Sequence, residues 1–134
     1  MLSSILSLFG KTPGRYVNES AFSENRTKQT VMAPQTMAQL RKHGVTDETE
    51  LKLEVFFYTN TEAKAAELVD VLKKKGYSVD QKPAAYDKSL RIVNGWTGKM
   101  KMKDAIVIAW TRDMCEVGYA SDCDFDGWGT NPKQ

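Results

Sequence analysis

The stretch DCDFDG, Asp122 to Gly127, gathers the residue types best able to hold a metal ion. Aspartates at alternate positions followed by glycine open an EF-hand calcium loop, where their oxygens ligate the cation. Counted from Asp122, the twelfth position should supply a bidentate carboxylate, but Lys133 stands there. The chain reaches Gln134 soon after, with no room for an exiting helix. Read instead as a strand, the same residues point Cys123 and Phe125 inward and leave Asp122, Asp124 and Asp126 facing water. Gly127 and Gly129 then let the backbone bend around Trp128. The strand is the expectation, with no metal and no cofactor.

The remaining chemistry-bearing residues are few. Cys115 and Cys123 do not have zinc-ligand spacing, and the single histidine, His43, is distant in sequence. Two free thiols in a reducing compartment are expected. The chain has no G-x-S-x-G, no H-E-x-x-H and no Gly-rich phosphate loop between a strand and a helix. His43 has no nucleophile near it in sequence and reads as a surface residue. No catalytic residue is assigned, and the protein is expected not to be an enzyme.

Composition narrows the class further. The 134 residues carry a formal net charge of +2, with 41% hydrophobic and 27% charged residues, which suits one ordinary globular domain. Domains that bind nucleic acid by bulk charge have a clear basic excess, so that class is disfavoured. The lysine runs at Lys73 to Lys75 and at Lys99, Lys101 and Lys103 read as a helix end matched to its dipole and a solvated edge. The opening MLSSILSLFG is apolar but too short to span a bilayer, which takes about 20 residues. It also lacks a signal peptide's basic start and cleavage site. A cytoplasmic protein without membrane contact is expected.

The elements that must hold these residues follow from periodicity. Residues 1–31 show no sustained period and read as an N-terminal tail or irregular arm, with the folded domain over residues 32–134. Pro34 suits a helix start, Met37 and Leu40 share a side, and Gly44 is a stop. ELKLEVFFYT alternates: Leu51, Leu53, Val55 and Phe57 on one face, Lys52, Glu54, Phe56 and Tyr58 on the other. Thr61 or Asn60 can cap a helix striped by Ala65, Leu68, Val69 and Leu72 and stopped at Gly76. YSVDQK and SLRIVNGW read as strands, with Leu90 and Ile92 sharing a face and Asn94-Gly95 as a hairpin signal. A last helix runs from Asp104 to a stop at Gly118, its stripe formed by Ile106, Ala109, Trp110, Met114 and Val117. CDFDGWG is the closing strand.

The order after the first helix is strand, helix, strand, strand, helix, strand. This predicts an α+β fold: a ferredoxin-like β-α-β-β-α-β sandwich with an extra N-terminal helix and a four-stranded antiparallel sheet. Both helices would cover one face, leaving Phe56 and Tyr58 on the other.

From about Pro34 to Thr130 the chain resembles the regulator of ribonuclease E activity B family. The resemblance rests on the short helix ending near Gly44, on LKLEVFFYT, on LVDVLKKKGYSV and on the closing FDGWGT. Phe125, Asp126, Gly127, Trp128, Gly129 and Thr130 form the most specific part and are taken as a structural motif. It implies a ferredoxin-like domain that regulates an endoribonuclease by binding it. Described members are strongly acidic with an acidic C-terminal tail, whereas this chain is slightly basic and adds GWTGKMKMK. A charge-dependent interface would change character with that difference.

The resemblance favours a protein-binding regulator of RNA turnover, its partner ribonuclease E or a related endoribonuclease. Phe56, Tyr58 and Trp96 are the candidate partner-binding residues. The alternative is a single-stranded RNA-binding module stacking bases on Phe56 and Tyr58. Against it, the third strand offers only Arg91 and Trp96. A small-molecule or catalytic domain would need a pocket with perturbed titratable groups.

Overall fold

Strict alternation makes the central strand. In the computed structural model, which describes residues 14–134, Leu51, Leu53, Val55, Phe57 and Thr59 are all buried. The residues between them are exposed or half-buried. The run is two strands rather than one: β1 (Glu50–Leu51) and β2 (Glu54–Thr59). The break at Lys52-Leu53 is held from outside. Thr97 N–H donates to the Leu53 carbonyl, and Thr97 Oγ1 accepts from Leu53 N–H. Thr130 Oγ1 donates to the Lys52 carbonyl, and Gln134 Oε1 accepts from Lys52 N–H.

Three helices stand among the described residues: α1 (Glu19–Lys42), α2 (Glu62–Lys74) and α3 (Asp104–Ala120). The remaining strands are β3 (Ser78–Pro83), β4 (Arg91–Trp96), β5 (Met100–Lys101) and β6 (Asp124–Gly129). The four-stranded sheet runs β3-β4-β2-β6, and every pairing in it is antiparallel. β1 and β5 make a separate two-stranded antiparallel sheet. The fold is α+β.

α2 follows its sequence signals. Thr61 caps it by accepting from Lys64 N–H, and Ala65, Leu68, Val69 and Leu72 are its buried stripe. These residues join Val55, Phe57, Val79, Val93 and Phe125 from the sheet and Val107, Trp110 and Met114 from α3 in one core. Both helices thus bury their apolar stripes on the same face of the sheet.

Three expectations are corrected. Residues 19–31 are helical, so the irregular arm ends before them and Pro34 lies inside α1. Residues 1–13 lie outside the described residues. Asn18 caps α1 by accepting from Ala21 N–H. The interface of its first half mixes Phe22, stacked on Tyr119 with ring centroids 4.2 Å apart, with polar side chains, which breaks the apolar period. Gln29, buried, and Asn25 donate to the Phe125 carbonyl on β6. Asn94-Gly95 is not a turn but mid-strand, paired with Phe56 and Val55 on β2. A Cβ at Gly95 would collide with the Ser78 carbonyl oxygen and lie 2.6 Å from Val79 Cα, so glycine lets β3 and β4 approach.

The third correction concerns α3. It continues past Gly118 to Ala120, and its stripe uses Val107, Thr111, Cys115 and Gly118 beside Trp110 and Met114. Ile106 is exposed instead. Gly118 faces the sheet, where an added Cβ would lie 3.0 Å from the Phe57 ring and 2.9 Å from the Cys123 carbonyl.

The two edges of the large sheet differ. On β6 the α1 amides cover Phe125 O, and the register shifts between Phe56 and Phe57 on β2, leaving Asp126 bulged. Among the described residues, no strand pairs with the outer side of β3. Lys82 and Pro83 stand on that strand, the kind of residues that discourage further pairing.

Candidate functional site

The side of the sheet away from α2 and α3 carries the candidate site. Register places Phe56 opposite Asn94, Tyr58 opposite Ile92, and Glu54 opposite Trp96. On the other side of β2, Tyr58 pairs with Asp124. Alternation therefore brings Phe56, Tyr58 and Trp96 onto one face. Each is half-buried, and none joins the core cluster.

Two rings that periodicity could not place complete the cluster. Tyr86, from the loop between β3 and β4, meets Tyr58 edge-on with ring centroids 5.6 Å apart, and is 72% exposed. Tyr16, from the segment before α1, lines a cavity of about 620 Å³ with Val17, Ala21, Glu24, Asn25, Lys28 and Asp124. Both come from loops, and only folding brings them to the strand residues.

The face is acidic. Burial pushes the Asp124 carboxyl up, and neighbouring Asp126 pushes it further, with Lys28 opposing. Burial also raises the Tyr58 hydroxyl, and Asp126 and Tyr86 add to it. For Tyr16 burial leads again, followed by Asp124, Tyr86, Asp87 and Asp122. Glu54 accepts a 3.2 Å hydrogen bond from Asn94 Nδ2.

Asp122 does not face water, which corrects the even spacing expected of the three aspartates. It is buried at φ 58°, and its two oxygens accept 2.8 Å bonds from the Tyr16 and Val17 amides. Lys64 Nζ lies 2.7 Å from it and Arg15 3.4 Å. Burial alone would raise this carboxyl. Lys64, the two amides and Arg15 outweigh burial and hold it below its ordinary 3.8. The carboxylate is thus a tether for the segment before α1, and Arg15 also stacks over the Tyr119 ring.

The motif around Trp128 lies on the core side. Trp128 is half-buried and meets Trp110 edge-on at 6.0 Å, while Phe125 is buried and lies 5.0 Å from Phe57. Asp126 is exposed at the bulge, and Gly127 and Gly129 pair with Phe56 and Glu54. Thr130 bonds the Lys52 carbonyl.

The thiols offer no nucleophile. Cys115 and Cys123 are free and buried, and burial pushes each up to about 12. They are protonated at neutral pH, when a reactive cysteine must be thiolate. His43 is exposed at the end of α1. Among the described residues, no group of three or more His, Cys, Asp and Glu side chains is arranged to hold a metal ion. No helix among them is long and apolar enough to cross a membrane.

Comparison with curated proteins gives no match. The family described as Regulator of ribonuclease activity B matches residues 32–130, from the middle of α1 through the strand that carries Trp128. That span covers most of the chain, so the protein belongs to the regulator of ribonuclease activity B family.

Proposed function

We propose that this chain is a non-enzymatic, protein-binding regulator that inhibits or modulates an endoribonuclease of the ribonuclease E type, and thereby RNA turnover. The observation that carries the reading is the family match joined to an aromatic sheet face that the described residues leave half-exposed. Half-buried rings fixed by strand pairing are ready-made anchors, since large aromatics dominate the energetics of protein contacts. The order β3-β4-β2-β6, with α2 and α3 on one side, supports the ferredoxin-like arrangement. The region acts in the cytoplasm, where such a nuclease works on RNA.

A single-stranded RNA module would use the same rings. The carboxylates of Glu54, Asp124 and Asp126 beside them would repel a phosphate backbone, which favours the protein-binding reading.

The test is a cleavage assay. A ribonuclease E-type enzyme cutting a labelled RNA should slow when the purified chain is added, and the Phe56→Ser, Tyr58→Ser double variant should slow it less. Unchanged cleavage at saturating chain, with no complex on gel filtration, would remove the proposal. A gel shift of the RNA by the chain alone would favour the RNA module.

A further inference from the structure

The aromatic face and the cavity beside it suggest the chemistry of what docks there. Tyr58 and Asp124 are cross-strand neighbours, Tyr86 packs edge-on against Tyr58, and Tyr16 and Asp124 line the cavity between α1 and β6. Glu24 lines the same cavity, and Asp126 stands exposed at the bulge, two residues beyond Asp124. Tyr16, Glu24 and Asp124 thus line the cavity itself, while Tyr58, Tyr86 and Asp126 stand on the adjoining sheet face.

That pairing suits one side chain above others. A guanidinium stacks flat on an aromatic ring and at the same time offers a planar fork to a carboxylate. An ammonium satisfies the charge but stacks less well. The molecule already shows the combination elsewhere: Arg15 lies over the Tyr119 ring and 3.4 Å from Asp122. Lys28 is the cation that acts on Asp124, and it also lines the cavity. The carboxylates of Asp124 and Asp126 remain mutually repelling beside it.

We propose that this face recognises an arginine-bearing basic segment of a partner protein, one arginine settling where the cavity between α1 and β6 meets the sheet face, to stack on the tyrosines there and pair with Asp124 and Asp126. The proposal rests on the protein-binding reading and gives the partner segment its chemistry. The chain's net charge of +2 makes it discriminating, because bulk electrostatics would repel such a segment. Binding must come from the local patch.

The test uses the whole chain and fluorescein-labelled nona-arginine, nona-lysine and nona-glutamate peptides, with anisotropy as the readout. Nona-arginine should bind, more tightly than nona-lysine, and nona-glutamate should not. Added salt should weaken it. The Asp124→Asn, Asp126→Asn variant should bind nona-arginine about tenfold more weakly. It should still melt at or above the parent's temperature, because it relieves a repulsion. The Tyr58→Ser, Tyr86→Ser variant should erase the preference for arginine over lysine.

Equal binding by parent and Asp-to-Asn variant would overturn the proposal. So would tighter binding of nona-glutamate or of a single-stranded oligonucleotide. The nuclease assay separates the two readings. If the chain inhibits cleavage and the Asp-to-Asn variant inhibits equally, the regulator stands and the arginine site falls. If nona-arginine binds as described and cleavage is untouched, the site stands and the nuclease reading falls.

Discussion

The two faces of the four-stranded sheet are made by alternate residues of the same strands, yet they do different work. On one face Val55, Phe57, Val93 and Phe125 are buried under α2 and α3. On the other, Phe56, Tyr58 and Trp96 are half-buried beside Glu54, Asp124 and Asp126, with Tyr16 and Tyr86 from the loops. The first face is apolar and dense apart from Thr59, whose hydroxyl donates to the Asp122 carbonyl, and its packing sets stability. The second mixes rings with like charges, an arrangement that a core would not tolerate but an interface can use. Neighbouring positions in sequence, such as Phe56 and Phe57, thus have separable roles.

The strongest way to break the comparison is at Phe57. Phe57→Ala should destabilise the protein by about 3–5 kcal/mol, as for other buried phenylalanines. Chemical denaturation reads it, and a loss as small as that of Phe56→Ala would mean that the faces are not distinct.

Next comes the Asp122 tether. Asp122→Ala leaves the Tyr16 and Val17 amides without their acceptor, while Lys64 keeps Gly14 O and Asn60 Oδ1, and should cost about 1–3 kcal/mol. Because folding lowers this carboxyl, its contribution is full above the ordinary 3.8 and is lost as pH falls through the lower folded value. Asp124 is shifted the other way, so its penalty is present at neutral pH and eases as pH falls toward the ordinary value. Urea midpoints measured from pH 7 down to pH 3 should therefore fall less steeply for Asp122→Asn than for the parent. An acid limb of unchanged slope would count against the tether.

Gly118→Ala presses a methyl between Phe57 and the Cys123 carbonyl, and overpacking of this kind costs about 1–3 kcal/mol. Its effect should appear in thermal melting while peptide binding at the open face is unchanged. Loss of binding without loss of stability would show that the two faces are coupled.

On the open face, Phe56→Ser with Tyr58→Ser should change stability by less, within about 1 kcal/mol per site. Partner binding should fall at least tenfold, since truncated hot-spot aromatics cost about 2 kcal/mol or more. Early melting with intact binding would reverse the assignment. The smallest expected effect is that of calcium. At millimolar concentration it should leave the melting temperature unchanged, because Asp122 already has its oxygens engaged. A rise of several degrees that Asp126→Ala abolishes would restore the metal reading.

Much of the covered face was legible in the sequence. The alternation of Leu51 to Phe57 and the stripe of α2 are direct periodic signals, and the structure buries those residues. What escaped has physical reasons. The first half of α1 docks through Phe22 together with polar Asn25 and Gln29, so a lone ring leaves no sustained hydrophobic period, although Asn18 followed by Glu19 is a readable cap. Asn94-Gly95 carries turn chemistry but is used for close strand approach. The stripe of α3 was read one residue early at Ile106, where Val107 is buried. On the open face Phe56 and Tyr58 could be read from alternation. Tyr16 and Tyr86 could not, because loop residues reach a site only through tertiary contacts.

The unequal edges of the sheet have a consequence for how copies of the molecule can join. Continuous fibre growth by strand addition needs two free edges per molecule, one to receive and one to offer. Here α1 occupies part of the β6 edge with the Asn25 and Gln29 amides, and the bulge at Asp126 bends the rest. A copy that adds through β3 meets another β3, and the pair has no matching edge left with which to continue. Among the described residues, extension of the four-stranded sheet through β3 therefore ends in a pair, with α1 set against the edge that would have to carry it further.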